Sequence, residues 1–253
     1  MSKVIAISNQ KGGVGKSLTC HNLAVAKSMA GFKSLIIDMD PQASVTIMCG
    51  LDPYDDRFEK QNIVSAVAKK PIPISECIHP VDTFGTEIVP SNLDLSLSAL
   101  ELVGRYAREQ ILKRQINTIR DRYDYIFIDC PPELGMLTIN ALCAADSVII
   151  PVKAEYICYR GLDALLQTVD DIRDMDTGIN PALRIEGAVV TMYEGRIRDQ
   201  QEVMTLIRGK VNVLGSVKKT ADAYRAVADG IPVVQAYPKS DAATAYAAIS
   251  GLI

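Results

Sequence analysis

Short apolar runs rich in β-branched residues alternate along this chain with longer stretches whose apolar positions recur at helical spacing. Runs such as 4–7 and 35–37 are apolar at every position, the pattern of strands covered on both faces. Strands are predicted over 4–8, 34–38, 87–90, 125–129, 147–152, 185–191 and 211–217. Helices are predicted over 16–30, 93–120, 134–144, 161–175, 199–208 and 220–228, with a last one over 242–249. This alternation describes an α/β fold, a mostly parallel twisted sheet of about seven to eight strands with helices on both faces. The stretch 49–85, rich in proline and charge, gives no clear periodicity, and there is neither an internal repeat nor a low-complexity linker.

Composition narrows the class. A chain of 253 residues, 48% hydrophobic, can bury a large core without disulfides, and residues 1–253 are expected to form a single domain. The net charge of −3 excludes an overall basic field for nucleic acid, so any such contact needs a local patch. Six cysteines without a CxxC pair read as reduced core thiols. With no signal peptide and no apolar run near the roughly 20 residues that span a bilayer, the expected location is cytoplasmic, without membrane contact.

The chemistry begins where the first strand ends. Residues 11–17 read KGGVGKS, a phosphate-binding loop. Gly12, Gly13 and Gly15 let backbone N–H groups turn toward an anion without a Cβ in the way. Lys16 brings charge to the β and γ phosphates, the Ser17 hydroxyl can join a Mg2+ shell, and the following helix N-terminus adds its dipole. The general GxxxxGK[ST] pattern wants glycine where this chain has Gln10, and beside it stands a second lysine, Lys11. In a glycine cradle facing polyphosphate such a cation has an obvious partner.

Ligands of doubly wound sheets bind beyond the carboxyl ends of the strands. There the second strand runs into Asp38, Met39, Asp40, Pro41 and Gln42, and the fourth into Asp129, Cys130, Pro131 and Pro132. An aspartate ending a buried strand beside a phosphate loop can hold Mg2+ through water; the alternative is a helix cap or turn residue, common for Asp near Pro.

KGGVGKS, DMDPQ and FIDCPP, in this order and spacing, resemble the deviant Walker A ATPases and, within them, the small ParA partition ATPases. The resemblance extends to PSNLDLSLSALEL from Pro90, the segment 151–161 with Glu155, VVTMYEGR from Val189 and DGIPVVQAYPKSDAATAYAAI from Asp229. It implies the P-loop NTPase fold and an ATP- and Mg2+-dependent switch working as a homodimer with nucleotide between the protomers. Lys11 is then the signature lysine that reaches the partner's phosphates, Lys16 holds those of its own protomer, and Asp40 orients or activates the attacking water. Ser17, Asp38 and Asp129 serve the metal. Lys11, Gly12, Gly13, Val14, Gly15, Lys16, Ser17 and Leu18 form the nucleotide cradle, with Met192, Lys218 and Thr220 toward the adenine. Two positions depart from the family: Lys218 stands where a proline is usual, and Leu18 replaces a common threonine.

The small ParA type also implies non-specific binding of double-stranded DNA by the ATP dimer, nucleoid association and a ParB-like activator with a flexible basic segment. A start directly at the first strand, leaving no room for a helix-turn-helix domain, fits that type. Arg196 and Lys219 fall at the family's DNA-contacting positions. They lie in 184–225, where eight Lys or Arg face five Asp or Glu, a local excess that is otherwise read as a solvated helical face. The basic stretch 105–122 is a second exposed face or a docking surface. The alternative output is that of the MinD-like membrane or protein-positioning ATPases. These end in a basic amphipathic helix, whereas this chain has no Lys or Arg after Lys239. An iron–sulfur carrier of the same superfamily would need a second cysteine placed to pair with Cys130. His21 and His79 are isolated.

Overall fold

Among the described residues eight strands form a sheet in the order β3-β4-β2-β5-β1-β6-β7-β8, parallel throughout except for the antiparallel β3–β4 edge pair. This computed structural model describes residues 2–81, 85–174, 176 and 178–253. In chain order the elements are β1 (Lys3–Ile7), α1 (Lys16–Met29), β2 (Ser34–Asp38), α2 (Ser44–Met48), α3 (Ile63–Val67), β3 (His79–Pro80), β4 (Glu87–Val89), α4 (Leu95–Val103) and α5 (Ile111–Asn117). There follow β5 (Tyr125–Asp129), α6 (Met136–Ala144), β6 (Ser147–Lys153), α7 (Tyr156–Arg173), β7 (Arg184–Thr191), α8 (Arg198–Arg208), β8 (Val213–Val217), α9 (Ala221–Ala228), α10 (Val233–Ala236) and α11 (Asp241–Ser250).

Successive side chains of a strand point to opposite faces, and the core divides accordingly. Val4, Ala6, Leu35, Ile37, Ile126 and Ile128 pack into one apolar cluster with α3 to α8. Ile5, Ile7, Ile36, Phe127 and Ile149 pack into the other with α1 and α9 to α11. Both faces are dry, which is why these strands read as continuous apolar runs rather than alternating ones.

Three expectations are corrected. The helix predicted over 93–120 is broken: α4 stops at Gly104, Ala107 takes the left-handed conformation (φ 47°), and α5 resumes at Ile111. Apolar periodicity runs through the break because both helices pack on the same cluster. The helix predicted from Gly161 starts earlier, at Tyr156, with glycine in its interior; its predicted end, Met175, lies outside the described residues. The strand expected from Val211 begins at Val213. Among the described residues no helix is long and apolar enough to cross a membrane.

The chain leaves β1 toward β2 and β4, returns to insert β5 beside β1, and from β6 continues on the other side. Such a reversal opens a crevice at the carboxyl end of β1. Register pairs Ile7 with Asp129 and Asp38 with Asp129, so both aspartates end level with the start of the glycine loop.

Candidate nucleotide-binding site

The loop after β1 is held open by backbone geometry. Gly13 and Gly15 have φ of 67° and 82°, values that any side chain would strain. Thr191 at the end of β7 ties the loop down, its hydroxyl donating to the Val14 carbonyl at 2.7 Å. Asn9 braces the loop's entry by donating to the Pro151 carbonyl at 2.7 Å and accepting the Lys11 N–H at 3.0 Å. Gly15 caps α1 with no side-chain acceptor, leaving the first N–H groups of a 14-residue helix for an anion.

Below the loop lies a charged floor. The Lys16 ammonium donates to the Lys11 carbonyl at 3.2 Å; burial lowers its pKa, against the pull of Asp129 and Asp40. Asp40 accepts the Gln42 N–H at 2.9 Å, and burial raises its pKa. Asp38, fully buried, accepts from the Thr46 hydroxyl at 2.7 Å, the Thr46 N–H at 3.1 Å and the Asp40 N–H at 3.0 Å. Desolvation nevertheless pushes its pKa up to about 7. One oxygen of Asp38 thus braces the turn that carries Asp40, and the other holds Thr46 of α2.

Asp129 differs. It is fully buried, and among the described residues neither carboxylate oxygen has a partner in hydrogen-bond geometry. Desolvation, then the Asp38 charge, raises its pKa well above the carboxylate range, while the Ser17 hydroxyl and Lys16 oppose the shift without reaching that geometry. A buried carboxylate without a donor is costly unless something cationic completes it. Asp129 and the Ser17 hydroxyl are hard oxygen donors of the kind Mg2+ takes alongside phosphate and water. Among the described residues no group of three His, Cys, Asp or Glu is placed to hold a metal. That small donor set suits an ion which keeps several waters.

A cavity of about 450 Å3 opens above this floor. Gly12, Gly13, Gly15, Lys16, Ser17, Leu18, Asp40, Met192, Lys218, Lys219 and Thr220 line it, so the structure gathers most of the residues expected at a nucleotide. Val14, Asp38 and Asp129 are buried outside the lining. Lys11 is not part of the lining, and its stem lies against Gly161 of α7. Thr220 also caps α9, accepting the Ala223 N–H at 3.2 Å, and Lys218 pairs with Asp241 at 2.6 Å. The sequence reading missed the cavity's other end, where Val217, Ala223, Tyr224, Val227 and Tyr246 form an apolar wall. No short motif marks those residues; the exposed Tyr224 on a helix of small side chains is the one available signal.

Outside the cavity, Arg196 is 87% exposed in the loop before α8 and pairs with Glu194 at 3.2 Å. Lys219 is exposed, its ammonium 5.9 Å from the Tyr224 ring. All six cysteines are free and buried, and burial pushes the Cys130 thiol up.

Known proteins resemble this chain in sequence and in structure. A family model described as an AAA domain matches residues 2–185. The sporulation initiation inhibitor protein Soj of Bacillus subtilis is 36% identical over 250 residues, covering 97% of this chain and 96% of Soj. Among solved structures, a Borrelia burgdorferi B31 chain named as a plasmid partition protein, bound to AMPPNP, superposes with a TM-score of 0.84 at 28% identity, covering 100% of this chain and 98% of that one. The cobyrinic acid a,c-diamide synthase of Mycobacterium smegmatis, with bound ADP and magnesium, gives a TM-score of 0.84 at 31% identity, covering 98% and 91%.

Proposed function

The chain belongs to the ParA/Soj family of P-loop ATPases, and we propose that it is a Mg2+-dependent ATP switch that dimerises around nucleotide and binds DNA non-specifically to segregate or position it. The observation that carries this reading is the buried, unpartnered Asp129 beside Ser17 and beneath the glycine loop. Such a carboxylate is poised for a metal–phosphate complex.

Phosphoryl transfer needs mainly positioning and charge neutralisation. In this reading the loop N–H groups and the α1 N-terminus hold the phosphates, and Lys16 neutralises the β and γ oxygens. Ser17 and Asp129 would hold Mg2+, and the bound ion would supply charge stabilisation at the phosphates. Asp40, fixed by the Gln42 N–H, accepts a hydrogen bond from the attacking water and aligns it. Asp38 braces that turn. Lys11 reaches the phosphates of the partner protomer as an arginine finger would, so ATP binding and dimerisation are linked. The apolar wall with Met192, Lys218 and Thr220 receives the adenine. Residues 1–253 act as one ATPase domain, cytoplasmic and nucleoid-associated when ATP-bound, with slow turnover stimulated by a ParB-like activator. Arg196 and Lys219 carry the DNA contact, supported by the positive excess of 184–225.

Retention on non-specific duplex DNA tests this reading with ATP, ADP or no nucleotide, at low and moderate salt. Retention with ATP alone, weakening as salt rises, is expected. Equal retention in all three states, or none, refutes the DNA-binding switch while leaving ATP hydrolysis untouched.

A further inference from the structure

A line of buried hydrogen bonds runs behind the nucleotide cavity and ends on the backbone of Asp40. The Asp40 N–H donates to Asp38 Oδ1 at 3.0 Å, so beyond the end of β2 the carboxylate two residues back holds the chain. Oδ2 of the same carboxylate accepts both the Thr46 hydroxyl, at 2.7 Å, and the Thr46 N–H, at 3.1 Å. The Thr46 hydroxyl in turn accepts the Ser91 N–H at 3.1 Å. An N–H can only donate, so the hydroxyl's own proton is left to point at Asp38. Asp38 and Thr46 are completely buried, and Ser91 nearly so.

Each link constrains the next. The last bond of an aspartate side chain turns in a broad well, so Oδ1 stays on the Asp40 N–H only while the other oxygen is fixed. Thr46 fixes it with two donors. Ser91 follows β4 and gives the threonine its own place, while the neighbouring Pro90 carbonyl accepts the Ile63 N–H at the start of α3, at 2.9 Å.

The helix that carries Thr46 needs such an anchor. α2 is five residues long, too short to persist on its own hydrogen bonds. Its N-cap, Ala43, is left-handed with φ of 52°, a conformation that a non-glycine residue keeps only when its surroundings impose it. The Ala43 N–H closes on the Asp40 carbonyl at 2.9 Å, so the placement of α2 passes directly to Asp40.

We propose that Thr46 is a positioning residue for ATP hydrolysis: by locking the Asp38 carboxylate it sets the direction from which Asp40 meets the attacking water. This rests on the ATPase reading above. Thr46 is fully buried and outside the cavity lining, so it acts through Asp40.

Three substitutions grade the hydroxyl at a side chain of similar size. Thr46→Ser keeps it, Thr46→Cys exchanges it for a weaker donor, and Thr46→Val removes it. Single-turnover ATP hydrolysis is expected to stay within about threefold of wild type for Thr46→Ser and to fall at least about tenfold for Thr46→Val, with Thr46→Cys between them. ADP affinity and the Mg2+ concentration at half-maximal turnover should stay within about threefold in all three. Added to Asp40→Ala, Thr46→Val is expected to change turnover less than about twofold, because no carboxylate is left to aim.

Unchanged turnover in Thr46→Val overturns the proposal, and so does a loss in Thr46→Ser as large as that in Thr46→Val, which assigns the effect to packing. A further loss of about tenfold on top of Asp40→Ala overturns it by removing Asp40 as the route. A Mg2+ requirement raised about tenfold overturns it by assigning Thr46 and Asp38 to the metal. Where Thr46→Val fails to bind ADP, Thr46→Cys decides, and turnover equal to that of Thr46→Ser overturns the proposal. A wild type that never hydrolyses ATP contradicts the ATPase reading and takes this inference with it, whereas wild-type hydrolysis unaffected by Thr46→Val contradicts this inference alone.

Discussion

The aliphatic stem of Lys11 lies against the bare Cα of Gly161: a Cβ built there would stand 3.1 Å from the lysine Cε and 3.3 Å from its Cγ. Its ammonium has no hydrogen bond or ion pair among the described residues. The side chain is therefore cheap to remove from the monomer, and its charge remains available to another chain. Lys11→Ala is expected to move the melting temperature by no more than about 2 °C. ADP affinity should stay within about threefold, while the ATP dimer disappears. Light scattering behind a sizing column checks this; dimers persisting with ATP remove the cross-subunit role.

Asp40 faces the cavity, and a backbone N–H holds one of its oxygens. Asp40→Ala is expected to keep ATP binding and lower turnover about 100-fold or more, so that the ATP dimer accumulates. Phosphate release in a single-turnover assay reads the effect. Turnover within about threefold of wild type takes Asp40 out of the mechanism.

Asp129 predicts a trade between stability and function. Its folded pKa lies above its unfolded value because burial disfavours the charge. Between the unfolded pKa near 4 and the raised folded value, the folded state binds more protons than the unfolded one. Stability of the nucleotide-free protein therefore falls as pH rises through that window. Asp129→Asn removes the charge with little change of shape. It is expected to stabilise the free protein, more at pH 8 than at pH 4.5, while abolishing Mg2+-dependent hydrolysis. Urea titrations at the two pH values test the sign; a variant less stable than wild type at pH 8 contradicts it.

Arg196 lies in an exposed loop outside the nucleotide cavity, while Lys219, also exposed, lines that cavity just before α9. Arg196→Ala is expected to weaken DNA retention uniformly across sequences and to reduce the slope of log affinity against log salt by about one. ATP turnover without DNA should not change. Lys219→Ala should do the same, with a small loss of nucleotide affinity because that residue also lines the cavity. An unaltered salt slope in both variants would move the DNA contact elsewhere.

Much of this was legible in the chain because the determinants are local. Val4 to Ile7 must be buried on both faces, and KGGVGKS carries its own conformational demands, so strand, loop and helix follow from neighbouring residues. Elements set by tertiary context were not legible. The helix break at Gly104 to Ala107 is hidden because α4 and α5 pack on one cluster, and β3, two residues long, exists through its pairing with β4. The short helices α2, α3 and α10, of four or five residues, are too brief to show a period. The apolar end of the cavity joins β8, α9 and Tyr246 of α11, which the sheet order brings together. One partner of Asp38 was equally hidden, since nothing about Thr46 in sequence says that it donates twice to one oxygen of that carboxylate.

The central claim is that the site is completed between two chains when ATP is present. Sedimentation velocity with Mg2+ and a non-hydrolysable ATP analogue, with Mg2+ and ADP, and without nucleotide tests it most directly. The account predicts a species of about twice the 27.5 kDa chain mass with the analogue alone, and a monomer in the other two states. A monomer in all three conditions, or a dimer indifferent to nucleotide, would contradict it.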